Sequence, residues 1–248
     1  MPKTTNPVTQ KSGFSINIIL TLIVVVMAVV VIGGVLWINR DGNGSSLSGA
    51  VPAETLNKPD SSTLSQSPDG KVTVTEFLDY QCPACEQYYR GITKQVEQQY
   101  AGRINFVVRN FPLDMHPLAR QAASAAEAAG MQGKFKEMYH ALYDNYQAWA
   151  IAPDGQNVSS DSQKAAALID QYAQQIGLDV NRLHQDMASP QIKAKLDRDL
   201  ADGEAARVNS TPTLFINGKQ FQAPSGDGVT YQQVADKFRA EIDQALAR

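Results

Sequence analysis

A chain of 248 residues that is 43% apolar carries enough hydrophobic side chains for one substantial core. Its formal net charge of −3, from 22 lysines and arginines against 25 acidic residues, leaves no basic excess of the kind a nucleic-acid surface needs. Its three histidines, His116, His140 and His184, lie far apart and without paired spacing, which argues against a four-ligand zinc site built with the two cysteines.

Residues 16 to 38 contain no charged side chain. At helical rise these twenty-three residues reach about 34 Å, enough for a hydrocarbon layer of about 30 Å. The run also exceeds the ~7–15 residues of a signal-peptide apolar region, so it is read as a transmembrane helix. Lys3 and Lys11 precede it, whereas Arg40 beyond it is followed at once by Asp41. That bias makes residues 1–15 a cytoplasmic tail and places the rest outside the cell membrane, where disulfides persist. Asn17, Thr21 and glycines are the span's departures from plain apolar residues, which suits a tether. Residues 39–53 turn to Gly, Ser, Asn and Pro and are expected to be a flexible linker, with the folded domain running from 54 to 248.

Within the domain, Val72, Val74, Glu76 and Leu78 alternate with Thr73, Thr75 and Phe77, the period of a strand. Cys85, Tyr89, Ile92, Val96 and Tyr100 then recur at helical spacing, with Gly102 as a stop. Residues 103 to 109 alternate again as a second strand. From about 116 to 207 the pattern is helical throughout, and Phe135, Met138, Tyr139, Leu142, Tyr143, Tyr146 and Trp149 form an apolar stripe that reads as core packing. Asp161 and Asp179 are expected helix caps, with Gly177 a stop between them. Residues 211 to 216 read as a strand, Asn217-Gly218 as a tight turn, 219 to 222 as its return, and 231 to 246 as a closing amphipathic helix. Strand, helix and strand, then a helical block, then a hairpin and helix: the order predicts a mixed α/β core with a helical insertion.

The two cysteines, Cys82 and Cys85, stand three apart between the first strand and its helix. That is a dithiol redox pattern, because a sulfur at a helix N-terminus faces unpaired N–H groups and ionises more readily, and thiolate is the attacking form. Cys85 falls on the helix's apolar stripe and Cys82 at its tip, so the two are expected to differ in exposure and role. The alternative of a structural disulfide is weak, since so short a loop removes little unfolded-state entropy. Glu76 shares the strand face of Val72, Val74 and Leu78, where a buried carboxyl can exchange a proton with Cys85; pairing with a cation such as Arg109 at a strand end is the other reading. Thr211-Pro212 opens a strand, where a missing N–H is tolerated, and a cis bond there would leave the backbone of Thr211 free to pair with an extended peptide.

These residues carry a resemblance. The run from Thr75 through Cys82-Pro83-Ala84-Cys85, the run Arg109-Asn110-Phe111-Pro112-Leu113 leading to His116-Pro117, and Ser210-Thr211-Pro212-Thr213 before Phe215-Ile216-Asn217-Gly218 resemble, in order, the DsbA-like branch of the thioredoxin superfamily. The resemblance implies a thioredoxin-like core with an inserted α-helical domain at about 116–207. It implies a nucleophile at Cys82, a resolving cysteine at Cys85, a cis-proline at Pro212 and an acidic residue at Glu76. Substrate contact is expected at Thr211, Pro83 and Ala84, with no cofactor and no metal. A tethered member of this kind implies a monomeric, membrane-anchored thiol-disulfide oxidoreductase that puts disulfides into exported proteins and is reoxidised by a quinone-linked membrane protein. A reductase or isomerase, or a peptide-binding module with secondary redox activity, is the alternative. One departure bears on direction: strongly oxidising relatives often carry a histidine where this chain has Ala84, so a less oxidising couple is expected. His116 is a candidate substitute or a helix-entry histidine.

Overall fold

The computed structural model describes residues 50–248. The expected transmembrane span and most of the linker lie outside the described residues. Among the described residues, no helix is long and apolar enough to cross a membrane.

A five-stranded mixed sheet forms the centre, in the order β1 (Ser62–Ser65), β3 (Asn105–Asn110), β2 (Thr73–Leu78), β4 (Thr213–Ile216) and β5 (Lys219–Gln220). β2 runs parallel to β3 and antiparallel to β4, with Glu76 opposite Val108 on one side and Leu214 on the other. A strand paired on both edges and covered on both faces buries both of its alternating sets, and Val74, Glu76, Phe77 and Leu78 are all at most 1% exposed. The second strand starts at Asn105 instead of Arg103, β4 at Thr213 instead of Thr211, and the hairpin return ends at Gln220 instead of Gln222. β1, an edge strand with Leu64 as its one apolar side chain, has no alternation in its sequence to announce it.

The β2–β3 crossover is the helix that follows the cysteines: α2 (Pro83–Tyr88), a π-helical turn (Tyr89–Thr93) and α3 (Lys94–Gln99). Its stripe is as expected, since Cys85, Tyr89, Ile92, Val96 and Tyr100 are each at most 1% exposed. The insertion holds α4 (Ala119–Met131), α5 (Phe135–Asp144), α6 (Tyr146–Trp149), α7 (Ser162–Gln175), α8 (Val180–Met187) and α9 (Pro190–Ala205). It is not helical throughout: residues 150–161 form a loop closed by an Ile151–Val158 bridge. Asp161 accepts from Lys164 N–H at 2.9 Å and Asp179 from Arg182 N–H at 3.0 Å, the caps expected of them. Asn217 and Gly218 take positive φ, 47° and 83°, as their hairpin turn requires, and α10 (Tyr231–Leu246) closes the chain behind a Thr230–Gln233 capping box.

Two apolar clusters flank the sheet. The larger gathers Val72, Val74 and Leu78 with the dithiol helix, α10 and the insertion, and it contains both cysteines. The aromatic stripe lies within it, with Tyr89 and Tyr143 stacked at 4.9 Å between centroids. The smaller cluster packs Phe77, Phe111 and Phe215 against Val51, Leu56, Ala206 and Val208. Packing therefore reaches Val51, ahead of the expected start at residue 54; its N–H bonds to Gly218 O at 2.8 Å, and α1 (Ala53–Leu56) follows.

Candidate active site

Cys82 is the N-cap of α2, with Pro83 in the first turn, where its missing N–H costs nothing. Both cysteines are free thiols, Cys82 6% and Cys85 1% exposed, while Pro83 and Ala84 between them are exposed at the tip. The Thr211–Pro212 peptide is cis, and the carbonyl of Thr211 lies 3.6 Å from Cys82 Sγ. The structure thus brings Cys82, Cys85, Thr211 and Pro212 together from the start of α2 and the lead into β4.

The two sulfurs differ as their positions require. The Cys82 thiol is pulled down from 9.0 to about 6, first by the hydrogen bond from the Cys85 thiol, against the opposing effect of burial. The backbone N–H groups of Cys85 and Ala84 add to the lowering. Cys85 is pushed far above the ordinary thiol value, first by complete burial and then by its bond to Cys82. One sulfur is poised as thiolate and the other held as thiol, which is the asymmetry a nucleophile and a resolving partner need.

Glu76 sits deeper, 1% exposed in the middle of β2, and burial raises its carboxyl from 4.5 to about 8. No hydrogen bond in the structure joins it to Cys85; the side chains of Tyr88 and Tyr143 feel both groups. Glu76 Oε2, Tyr80 OH, Thr93 Oγ1 and Tyr139 OH are buried without hydrogen-bond partners. The strand-end pairing of Glu76 with Arg109 does not occur. Arg109, fully buried, donates to Asp199 at 2.8 Å, Asp202 at 2.6 Å and Thr55 O at 2.8 Å, on the side of β3 that α9 covers.

Sequence reasoning assigned no role to the residues that hold the loop before Cys82. Asp79, 1% exposed, accepts Gln81 N–H on Oδ1 at 2.7 Å, and Leu113 N–H at 2.9 Å and His116 Nδ1 at 2.6 Å on Oδ2. Gln81, fully buried, donates to Ala150 O and Ser159 O and accepts Leu118 N–H at 2.7 Å, while Tyr146 OH donates to its carbonyl. The insertion is thereby tied to the dithiol turn. The signal was two polar residues in a run otherwise continuous with a buried strand, but their partners beyond the turn itself lie 34 to 78 positions away.

The chain is similar to several known proteins. It is 33% identical over 162 residues to a protein named Na(+)/H(+) antiporter NhaA 1 of Mycolicibacterium gilvum, covering 63% of this chain and 23% of that one. It is 30% identical over 167 residues to an NhaA 3 of Salinispora tropica, again taking in 23% of the relative. The chain thus spans about a quarter of the length of these curated relatives. Among solved structures, BdbD from Bacillus subtilis matches with a TM-score of 0.61 at 19% identity, covering 81% of this chain and all 100% of that one. A thioredoxin-like oxidoreductase from Silicibacter pomeroyi matches at 0.60 with 23% identity over 80% and 99% of the two chains. The thiol-disulfide exchange protein alpha-DsbA2 from Wolbachia pipientis matches at 0.59 with 19% identity over 77% and 90%. Residues 65–236 match the family model described as Thioredoxin, so the chain belongs to the thioredoxin family and carries the DsbA-like form of its fold.

Proposed function

We propose that this chain is a membrane-anchored thiol-disulfide oxidoreductase that introduces disulfides into exported proteins through Cys82 and Cys85. The observation that carries the reading is the unequal sulfur pair, a cap thiol drawn to about 6 beside a fully buried thiol driven upward, under the Thr211 carbonyl. With the Cys82–Cys85 disulfide formed, a substrate thiolate attacks Cys82 Sγ. The intramolecular S–S bond breaks, its electron pair passes to Cys85, and Cys85 takes a proton. The substrate's second thiolate then attacks the substrate sulfur of the mixed disulfide, and Cys82 leaves as the thiolate its surroundings favour. The substrate has lost two electrons and two protons, and the dithiol has gained two electrons. A two-electron acceptor must reoxidise it, for which the resemblance supports a quinone-linked membrane protein.

Backbone groups at Thr211 are proposed to align an extended substrate strand, with Pro83 and Ala84 as neighbouring contact points, so that substrate choice is broad. Glu76 is proposed to pass a proton to and from Cys85. The uncharged run 16–38 is proposed as the anchor, with the dithiol domain outside the membrane, acting as a monomer. The transport activity named for the antiporters is not carried over, since the match takes in only about a quarter of their length.

A reductase or isomerase role is the second reading, and Ala84 together with the Cys82 value of about 6 favours it, because a strong oxidant holds its thiol lower, at about 3.5. Equilibration of the dithiol with glutathione separates the two. Substitution Cys82→Ser is expected to abolish exchange with a dithiol peptide; full exchange in that variant overturns the mechanism.

A further inference from the structure

His116 stands outside the dithiol motif, yet its loop is fastened to the residues that lead into Cys82. On one side of it Leu113 N–H bonds to Asp79 Oδ2 at 2.9 Å, and on the other Leu118 N–H bonds to Gln81 Oε1 at 2.7 Å. The imidazole itself places Nδ1 2.6 Å from the same Asp79 oxygen, and its side chain is 8% exposed. Asp79 in turn accepts Cys82 N–H on its backbone carbonyl at 3.1 Å. Each Asp79 carboxyl oxygen accepts a backbone N–H, and His116 is the one ionisable side chain paired with it among the described residues.

We propose that His116, held by the same Asp79 whose carbonyl takes the Cys82 N–H, is a positioning residue that supplies to the Cys82 turn the positive charge that the Pro83-Ala84 dipeptide lacks, and so sets how readily the dithiol accepts electrons. The inference rests on the dithiol reading above and deepens it. With Nδ1 committed to Asp79, the charged form of the ring is favoured over that of a free imidazole: its proton affinity is raised first by the Asp79 hydrogen bond, against burial, and further by the Asp79 charge and by Cys82. What Cys82 does for His116, His116 does for the Cys82 thiolate, since the interaction is mutual. The acids Asp79 and Glu86 on α2 offset part of this field, whereas Cys85, held as a thiol, adds no charge, and Tyr146 faces the same turn as a neutral phenol. The effect is therefore smaller than those of the Cys85 bond and the helix N–H groups.

The test follows Cys82 thiolate absorbance against pH, and the glutathione equilibrium of the full chain, in wild type, His116→Gln and His116→Lys. His116→Gln is expected to raise the Cys82 midpoint by about half to one pH unit and to move the equilibrium about three- to tenfold toward the disulfide. His116→Lys, which keeps a cation, is expected to restore both. Unchanged values in His116→Gln, or equal shifts in both variants with equal loss of thermal stability, overturn the inference. Without any substitution, the His116 ring followed by NMR is expected to titrate higher in the reduced than in the disulfide form of wild type; equal midpoints also overturn it. A wild-type Cys82 midpoint near the ordinary thiol value, by contrast, defeats the dithiol reading itself and the inference with it.

Discussion

The two cysteines, three positions apart, differ in burial, in charge and so in reactivity. Cys82 is expected to react with iodoacetamide along a titration centred near pH 6, with Cys85 silent until far higher pH. Mass mapping of the alkylated positions checks this, and equal labelling of both at pH 7 contradicts it. Glu76 has the opposite linkage. Its carboxyl ionises near 4.5 in the unfolded chain and about 8 in the folded one, so it leaves stability untouched below pH 4.5 and opposes folding increasingly as pH rises to 8. Glu76→Gln is therefore expected to gain ~2–4 kcal/mol over wild type at pH 8 and almost nothing at pH 4, read from urea unfolding at both pH values. An equal difference at the two pH values contradicts this. The dithiol was legible because cap position and helical stripe are local patterns. The strand's alternation also offered Glu76 as a buried carboxyl, but it could not exclude Arg109 as its partner, because the acids that take Arg109, Asp199 and Asp202, lie 90 and 93 positions away. Asp79 and Gln81 stayed hidden because their meaning depends on partners in the insertion.

Among elements, β3 and α9 are joined by buried charge and close contact. Arg109 reaches Asp199 and Asp202, and Asn110 reaches Glu127 and Asp199, with Lys195 bridging the two acids. Removing one side of such a network strands the other charges. Arg109→Met is expected to cost about 3–5 kcal/mol in thermal unfolding while leaving the Cys82 titration in place in whatever fraction folds. Gly203 on α9 is set against Phe111, so close that an added Cβ would lie 2.6 Å from that ring. Gly203→Ala is accordingly expected to destabilise by about 1–3 kcal/mol, although alanine is the better helix former; a gain in stability would contradict this packing. Helices with a wide apolar stripe, such as α5 and α10, were readable from sequence because burial on one face imposes the period. The edge strand β1 was not, since a short Ser-Thr-Leu-Ser segment gets its strand character from pairing with β3.

Across the whole domain, the chain enters at one end of the sheet and does its chemistry at the other. Val51 is bonded to Gly218 in the turn beside Thr73, where β2 begins, while Cys82 follows the end of the same strand, about 20 Å away at strand rise. Removing residues 1–49 is expected to leave the dithiol equilibrium unchanged. A chain starting at Lys58 also loses Val51 and Leu56 from the smaller cluster and is expected to be less stable by ~3–5 kcal/mol. The order of strand, helix, strand, insertion, hairpin and helix was legible, since each change of period marks an element; the position of Val51 was not, because its burial comes from a turn far along the chain. The most direct measurement is the reduction potential of Cys82–Cys85 in glutathione buffers. A value above about −200 mV is expected, less oxidising than the strongest donors near −120 mV but still able to give the disulfide to exported proteins. A value at or below about −270 mV would make the protein a reductant and contradict that role.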